Sequence, residues 1–89
     1  MTALPQESET DVTLRLRRIE GQIRGIIGML ADGKTCEQVV TQILAARAAM
    51  DKVAIEVLMC HVDETLRERS PDQARDAVMR AVELLNRVS

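Results

Sequence analysis

The stretch that decides the fold is residues 35–69, TCEQVVTQILAARAAMDKVAIEVLMCHVDETLRER. Its apolar residues fall on more than one face of a helix, which is typical of a helix with neighbours on several sides. Thr35 and Gln38 form the pattern of a capping box, so we expect one long helix that starts at Cys36 and runs to about Arg69. A helix of this kind belongs inside a bundle.

This helix carries Cys36 in its first turn and His61 near its end. On a straight helix the two residues lie about 37 Å apart, yet their side chains leave the axis only about 20° apart. They share a stripe but cannot bind one ligand within a single chain. If two copies of the helix pack antiparallel, Cys36 of one copy lies beside His61 of the other. A twofold axis then generates two equivalent Cys/His sites.

The position of Cys36 suits a reactive or metal-binding thiol. The first turn of a helix offers the positive end of the helix dipole and free backbone N–H groups, which favour a thiolate. A thiolate and an imidazole suit Cu(I), Zn(II), Ni(II) or Co(II), although a closed tetrahedral site has more than two protein ligands. Cys60 leaves the helix near −120° from Cys36, so we predict that it is a core thiol outside this site.

The residues before the long helix predict another helix. Thr10 or Asp11 can cap it, and Asp32-Gly33 ends it. Residues 1–9 lack periodicity and are expected to form a flexible tail, with residues 10–89 as a single helical domain. The stripe of this first helix consists of Leu16, Ile19, Ile23, Ile26 and Leu30. Its three glycines, Gly21, Gly25 and Gly28, are expected to permit close helix approach.

A third helix is predicted from Pro71 to about Asn86. Ser70 supplies its N-cap, Pro71 its first residue and Gln73 a second capping box.

Composition sets limits on class and location. The chain of 89 residues is 46% apolar but contains no Phe, Trp or Tyr, which favours an all-α domain. A chain this short buries a modest fraction of its surface, so oligomerisation is expected. The N-terminal residues are polar and acidic and no apolar run reaches the length of a membrane span, so we expect a cytoplasmic protein with free cysteines.

The net charge of −2 provides no general attraction to nucleic acid, so any such binding requires a local patch. The basic candidates are Arg15, Arg17, Arg18 and Arg24 on the first helix, followed by Lys34, Arg47 and Lys52. Arg15 and Arg18 share one face of the first helix with Gln22, whereas Arg17 and Arg24 lie on the opposite side. Copies of these few charges, aligned in a symmetric oligomer, would form an extended surface for phosphates.

Three runs in the chain resemble the copper-sensitive operon repressor family, which also includes nickel/cobalt and formaldehyde sensors. They are residues 15–25 (RLRRIEGQIRG) followed by Cys36, residues 41–46 (TQILAA), and His61 with Glu64-Thr65. The resemblance covers residues 12–68. It implies an all-α dimer of dimers in which the two long helices of two subunits form an antiparallel four-helix bundle. It also implies binding to operator DNA through a basic face and release when an effector occupies the intersubunit site.

The resemblance assigns roles to individual residues. Cys36 and His61 match the family's effector ligands, and Thr65 stands at a third position where copper sensors carry Cys and nickel/cobalt sensors carry His. Glu64 is a neighbour of this site. Residues matching the family's DNA-contacting positions are Arg15 and Lys52, to which we add Arg18.

We therefore expect a homotetrameric transcriptional repressor that a transition-metal ion releases from operator DNA. One alternative is a repressor that responds to formaldehyde or another electrophile, with Cys36 as the nucleophile and without a metal. Another is a helical adaptor that does not bind DNA. An enzyme is not expected, because the chain places no general base near Cys36.

Overall fold

The computed structural model describes residues 4–88 and consists of three helices in this range. They are α1 (Gln6–Ala31), α2 (Cys36–Glu68) and α3 (Pro71–Val88). No strand occurs among the described residues, so the predicted all-α chain with three helices is confirmed. In the same range, no helix has both the length and the apolar character needed to span a membrane.

Two capping boxes set the starts of α2 and α3. The Thr35 hydroxyl accepts a hydrogen bond from the Gln38 N–H (3.2 Å), and the Gln38 side chain accepts one from the Thr35 N–H (3.1 Å). Ser70 and Gln73 make the same reciprocal pair, with both bonds at 3.4 Å. These bonds satisfy backbone donors that have no partner within the first turn of a helix. Both predicted boundaries are confirmed.

The predicted start of α1 at Thr10 or Asp11 is wrong, because α1 begins at Gln6. Pro5 is the N-cap residue. The acidic side chains of the first turn stabilise this end of the helix, because they interact favourably with the positive end of the helix dipole. Thr10 lies inside the helix, where its hydroxyl donates to the Gln6 carbonyl (3.0 Å). Of the predicted flexible tail, residues 6–9 are helical and residues 1–3 lie outside the described residues.

α1 ends where predicted. Asp32 is the C-cap residue, and Gly33 adopts a left-handed conformation with φ of 70°. The Asp32 N–H donates to the Gly28 carbonyl and the Lys34 N–H to the Met29 carbonyl. Glycine adopts a positive φ without the steric cost that a Cβ brings, which explains why it terminates the helix here.

Both outer helices pack on α2, and within the described residues α1 and α3 do not contact each other. The core between α1 and α2 contains Val12, Ile19 and Val53. Half-buried side chains surround this core, namely Leu4, Ala49 and Val57. The result is a flat molecule with extents of 56 × 26 × 13 Å, about one helix thick.

The close helix approach predicted at Gly21, Gly25 and Gly28 does not occur within the described chain. A Cβ added at any of these positions would meet no atom within 4 Å. The reason is that α1 packs on α2 through the side of Val12 and Ile19, and the three glycines lie on other sides of α1.

A single chain leaves much apolar surface exposed. Its accessible surface is 6929 Å², whereas a compact monomer of 9.9 kDa exposes about 5,200 Å². Its radius of gyration is 16.9 Å, against about 12 Å for a compact domain of this length. Among the residues that the structure describes, fourteen large apolar side chains are exposed, many more than scattered surface residues would explain. Part of the apolar surface of this flat layer of helices is therefore exposed in the single chain.

Candidate functional site

One stripe of α2 carries the predicted effector residues, and its two halves have different surroundings. We define the Cys36 stripe as the α2 side chains that leave the helix within about 40° of Cys36. Its members include Val40, Ile43, Met50, Leu58, His61 and Thr65. In the N-terminal half, Cys36 and Ile43 are exposed. In the C-terminal half, Leu58 and Thr65 retain only 8% and 3% of their exposure, since α3 packs there.

His61 is half-buried on the side of α2 that faces α3. It lines a cavity of about 490 Å³, together with α3 residues that include Gln73, Asp76 and Arg80. The His61 Nδ1 atom is buried and has no hydrogen-bond partner among the described residues. Buried polar atoms almost always have a partner, so an imidazole nitrogen in this state is suited to bind a ligand.

Thr65 and Glu64 lie beside His61 but differ in burial and in their suitability as metal ligands. Thr65 is the one buried polar residue of the described chain, and its hydroxyl donates to the His61 carbonyl (2.8 Å). This bond lies within the helix and orients the hydroxyl along the backbone. A threonine oxygen is also a weak ligand for soft metals. Glu64 is half-buried one turn after His61.

Cys36 is free and exposed as the first residue of α2. A single chain does not assemble a metal site, because within the described residues no three His, Cys, Asp or Glu side chains come close enough to hold an ion. This agrees with the distance argument from the sequence, which separates Cys36 from His61 within one chain. Within the described residues, Cys36 and His61 therefore do not form a site together.

Cys60 points away from His61, toward α1. Its thiol donates a weak hydrogen bond to the Ser8 hydroxyl (3.5 Å), and the residue is half-buried and free. The sequence placed it near −120° from Cys36, and its contact with α1 agrees with that angle. Cys60 is therefore separate from the Cys36 stripe.

The three predicted DNA-contacting residues come together at one cavity between α1 and α2. Arg15, Arg18 and Lys52 line this cavity, which has a volume of about 250 Å³. Gln22 adds an amide, and the remaining lining is apolar, from Ile19, Ala49 and Val53. Three cations around one concave surface create a local positive patch on a chain whose net charge is −2.

Sequence reasoning missed Glu56, which forms an ion pair with one of these cations. The Arg15 Nε lies 3.2 Å from the Glu56 Oε2, across the contact between α1 and α2. The sequence indicates only that Glu56 shares a face of α2 with Lys52, because the two residues are four positions apart. Which residue of α1 it meets depends on how the two helices pack. The other Arg–Glu pair of α1, Arg24–Glu20 (3.2 Å), lies within that helix.

Comparison with known proteins identifies the family of this chain. The chain matches the model of a family described as "Metal-sensitive transcriptional repressor" over residues 8–87. The copper-sensing transcriptional repressor CsoR of Bacillus subtilis (strain 168) is 42% identical over 55 residues, which is 62% of this chain and 54% of that protein. The copper-sensing transcriptional repressor RicR of Mycobacterium tuberculosis is 48% identical over 48 residues, which is 54% of this chain and 50% of that protein. The match spans about half the length of each relative.

Two solved structures are similar over nearly the whole chain. One is the formaldehyde-responsive regulator FrmR E64H variant from Salmonella enterica serovar Typhimurium, with a TM-score of 0.78, 28% identity, and coverage of 96% of this chain and 98% of that one. The other is the nickel-responsive transcriptional regulator InrS, with a TM-score of 0.78, 32% identity, and coverage of 94% and 99%. The chain therefore belongs to the metal-sensitive transcriptional repressor family.

Proposed function

We propose that this chain is a DNA-binding repressor that a transition-metal ion releases from its operator, through a site that joins Cys36 of one subunit to His61 of another. One observation carries this proposal. The His61 Nδ1 is buried without a hydrogen-bond partner among the described residues, on the same stripe of α2 as the exposed Cys36 thiol. The two are too far apart to meet within one chain, but an antiparallel copy brings them together.

The exposed half of the Cys36 stripe supports the symmetric assembly. Val40, Ile43 and Met50 are 44–46% exposed on the face of α2 that carries Cys36. A second copy that packs antiparallel would cover these side chains. Because each is already about half buried, covering it contributes roughly half of the 1.5–3 kcal/mol that complete burial of an exposed apolar side chain provides. The excess surface of the single chain is large enough for a stable interface. We infer a dimer, and a dimer of dimers by resemblance to the family.

The donor atoms fit a soft or borderline metal ion. A Cys36 thiolate and a His61 imidazole suit Cu(I), Ni(II), Zn(II) or Co(II), and such an ion supplies strong bonds between two subunits. Thr65 contributes packing and orientation rather than a strong ligand, because its hydroxyl is bonded to the His61 carbonyl. Glu64 is a neighbouring residue whose carboxylate could supply a third ligand.

The cationic cavity supports contact with the DNA backbone. Arg15, Arg18 and Lys52 converge on a concave surface whose volume can hold a phosphate group. Repetition by symmetry multiplies this patch, and neutralising several phosphates provides the affinity that the acidic chain as a whole lacks. Because α2 carries Cys36, His61 and Lys52, an effector that shifts α2 also shifts part of the DNA surface. The coupling of the two binding events is reciprocal.

Membership in the family favours the metal-responsive repressor over the two other functions that the sequence left open. The adaptor without DNA binding has no support from the comparisons. The formaldehyde-responsive alternative, with Cys36 as nucleophile, becomes one outcome of the test below.

The test is fluorescence anisotropy of DNA from the promoter of the protein's own operon, with Cu(I), Ni(II), Zn(II) and formaldehyde added in turn. We expect the wild type, Cys36→Ala and Cys60→Ala to bind the DNA equally. A metal that releases the wild type should release Cys60→Ala equally well, because Cys60 faces α1. The same metal should leave Cys36→Ala on the DNA.

Normal metal-dependent release of Cys36→Ala would contradict the proposed site. Release by formaldehyde alone would favour the electrophile-responsive alternative. Failure of the wild type to bind promoter DNA at low salt would favour the adaptor.

A further inference from the structure

We propose that Glu56 competes with the DNA backbone for Arg15, so that this carboxylate lowers the affinity of the protein for DNA. The inference rests on the proposed function, because it assumes that Arg15 meets a phosphate. It assigns a role to an acidic residue at the edge of the basic surface.

The geometry places the carboxylate on one of the three cations of the cavity. The Arg15 Nε lies 3.2 Å from the Glu56 Oε2. Within the part of the chain that the structure describes, Arg18 and Lys52 form no ion pair with a carboxylate within 4.0 Å. Arg15 is therefore the cation whose charge is already neutralised before DNA binds. A phosphate that enters the cavity meets two unpaired cations and one paired cation.

The two partners differ in exposure. The Arg15 side chain is 54% exposed and the Glu56 side chain 31% exposed. The arginine can therefore swing toward a phosphate, whereas the carboxylate is held closer to the helix contact. An ion pair with this much exposure contributes little to stability, so a phosphate can displace it. The carboxylate that remains still repels the phosphate at short range.

A carboxylate beside an arginine can also orient the guanidinium for binding, and the two roles predict opposite effects. Orientation matters most when an arginine reads a base edge through two hydrogen bonds. Contact with the backbone depends chiefly on the number of charges neutralised. Since Arg15 lies in a shallow cationic cavity with Arg18 and Lys52, we assign Glu56 the competing role.

The experiment compares Glu56→Gln with Glu20→Gln in promoter-DNA binding by fluorescence anisotropy over a series of KCl concentrations. Both variants remove one negative charge and release one arginine from a 3.2 Å ion pair. Glu20 and Arg24, however, lie on the side of α1 opposite Arg15 and Arg18. The control therefore reports the effect of net charge alone. Circular dichroism melting of each variant reports whether the fold is intact.

We expect Glu56→Gln to bind DNA about two- to fivefold more tightly than Glu20→Gln at low salt, as the energy of an exposed ion pair implies. The plot of log affinity against log salt should be steeper for Glu56→Gln, by up to about 0.9 for each further phosphate neutralised. In an Arg15→Ala background the difference between the two variants should largely disappear, because the competition requires Arg15.

Equal affinities for Glu56→Gln and Glu20→Gln would overturn the inference. Weaker binding by Glu56→Gln would overturn it in favour of an orienting role. These outcomes differ from a failure of the proposed function, in which the wild type itself does not bind promoter DNA.

Discussion

The two halves of the Cys36 stripe of α2 differ in burial, although both belong to the same face of one helix. From Leu58 to Thr65 the stripe is buried or half-buried, because α3 of the same chain packs on it. From Cys36 to Met50 the stripe is exposed, although Val40, Ile43 and Met50 are large apolar side chains. Three helices in one layer cover only half of this stripe. The exposed half, which carries Cys36, is the part that a second copy would cover in the proposed dimer.

The largest expected effect comes from a charge in the exposed half. Ile43→Glu should raise the dimer dissociation constant at least about 100-fold, since each dimer loses two apolar side chains and gains two buried charges. Analytical ultracentrifugation over a range of protein concentrations measures it. The control is Ala48→Glu, an exposed position that leaves α2 about 120° from Cys36. An Ile43→Glu variant that dimerises as well as Ala48→Glu would remove this stripe from the interface.

An intermediate effect is expected in the covered half. Leu58→Ala should lower the free energy of unfolding by about 2–3 kcal/mol, because it leaves a cavity under α3. The dimer dissociation constant should stay unchanged, because the same chain covers this side chain. Val40→Ala, in the exposed half, should have the reverse pattern. It should raise the dimer dissociation constant and leave the free energy of unfolding of the single chain nearly unchanged. Urea unfolding at several protein concentrations separates the two effects, and similar behaviour of the two variants would argue against the division of the stripe.

The smallest effect concerns the start of the exposed half. Thr35→Ala removes the side-chain bond to the Gln38 N–H and should cost about 1 kcal/mol of stability. Ser70→Ala, at the start of α3, should cost less because its bonds are longer, at 3.4 Å. Thr41→Ala is the control, since that hydroxyl only bonds the Glu37 carbonyl inside the helix. Thermal unfolding measures all three, and an effect of Thr41→Ala as large as that of Thr35→Ala would contradict the capping role.

Several features were predictable because they depend on residues close together in sequence. The capping boxes at Thr35 and Ser70 need only residues three positions apart, and both formed as expected. The left-handed turn at Gly33 is equally local. The start of α1 was not predicted. Thr10 has a side chain that can cap a helix, but α1 begins earlier, directly after Pro5.

The candidate site was predictable in part for the same reason. The angular match of Cys36 and His61 follows from helix geometry, as does the separation of Cys60 from both. The state of the His61 Nδ1 does not, because it depends on α3 closing over that part of α2. The assignment of Cys36 and His61 to effector binding remains a prediction. The assignment of Arg15, Arg18 and Lys52 to DNA binding remains one too.

The sequence by itself determined the three helices, the capping boxes that start α2 and α3, the end of α1 and the alignment of Cys36 with His61, because helix periodicity and capping act over a few residues. Only the tertiary structure decided that Arg15 meets Glu56, that α3 covers one half of the Cys36 stripe, and that His61 keeps an unpartnered nitrogen among the described residues. These contacts depend on how helices distant in sequence are placed side by side. The residues that make them carry no local signal of their partners.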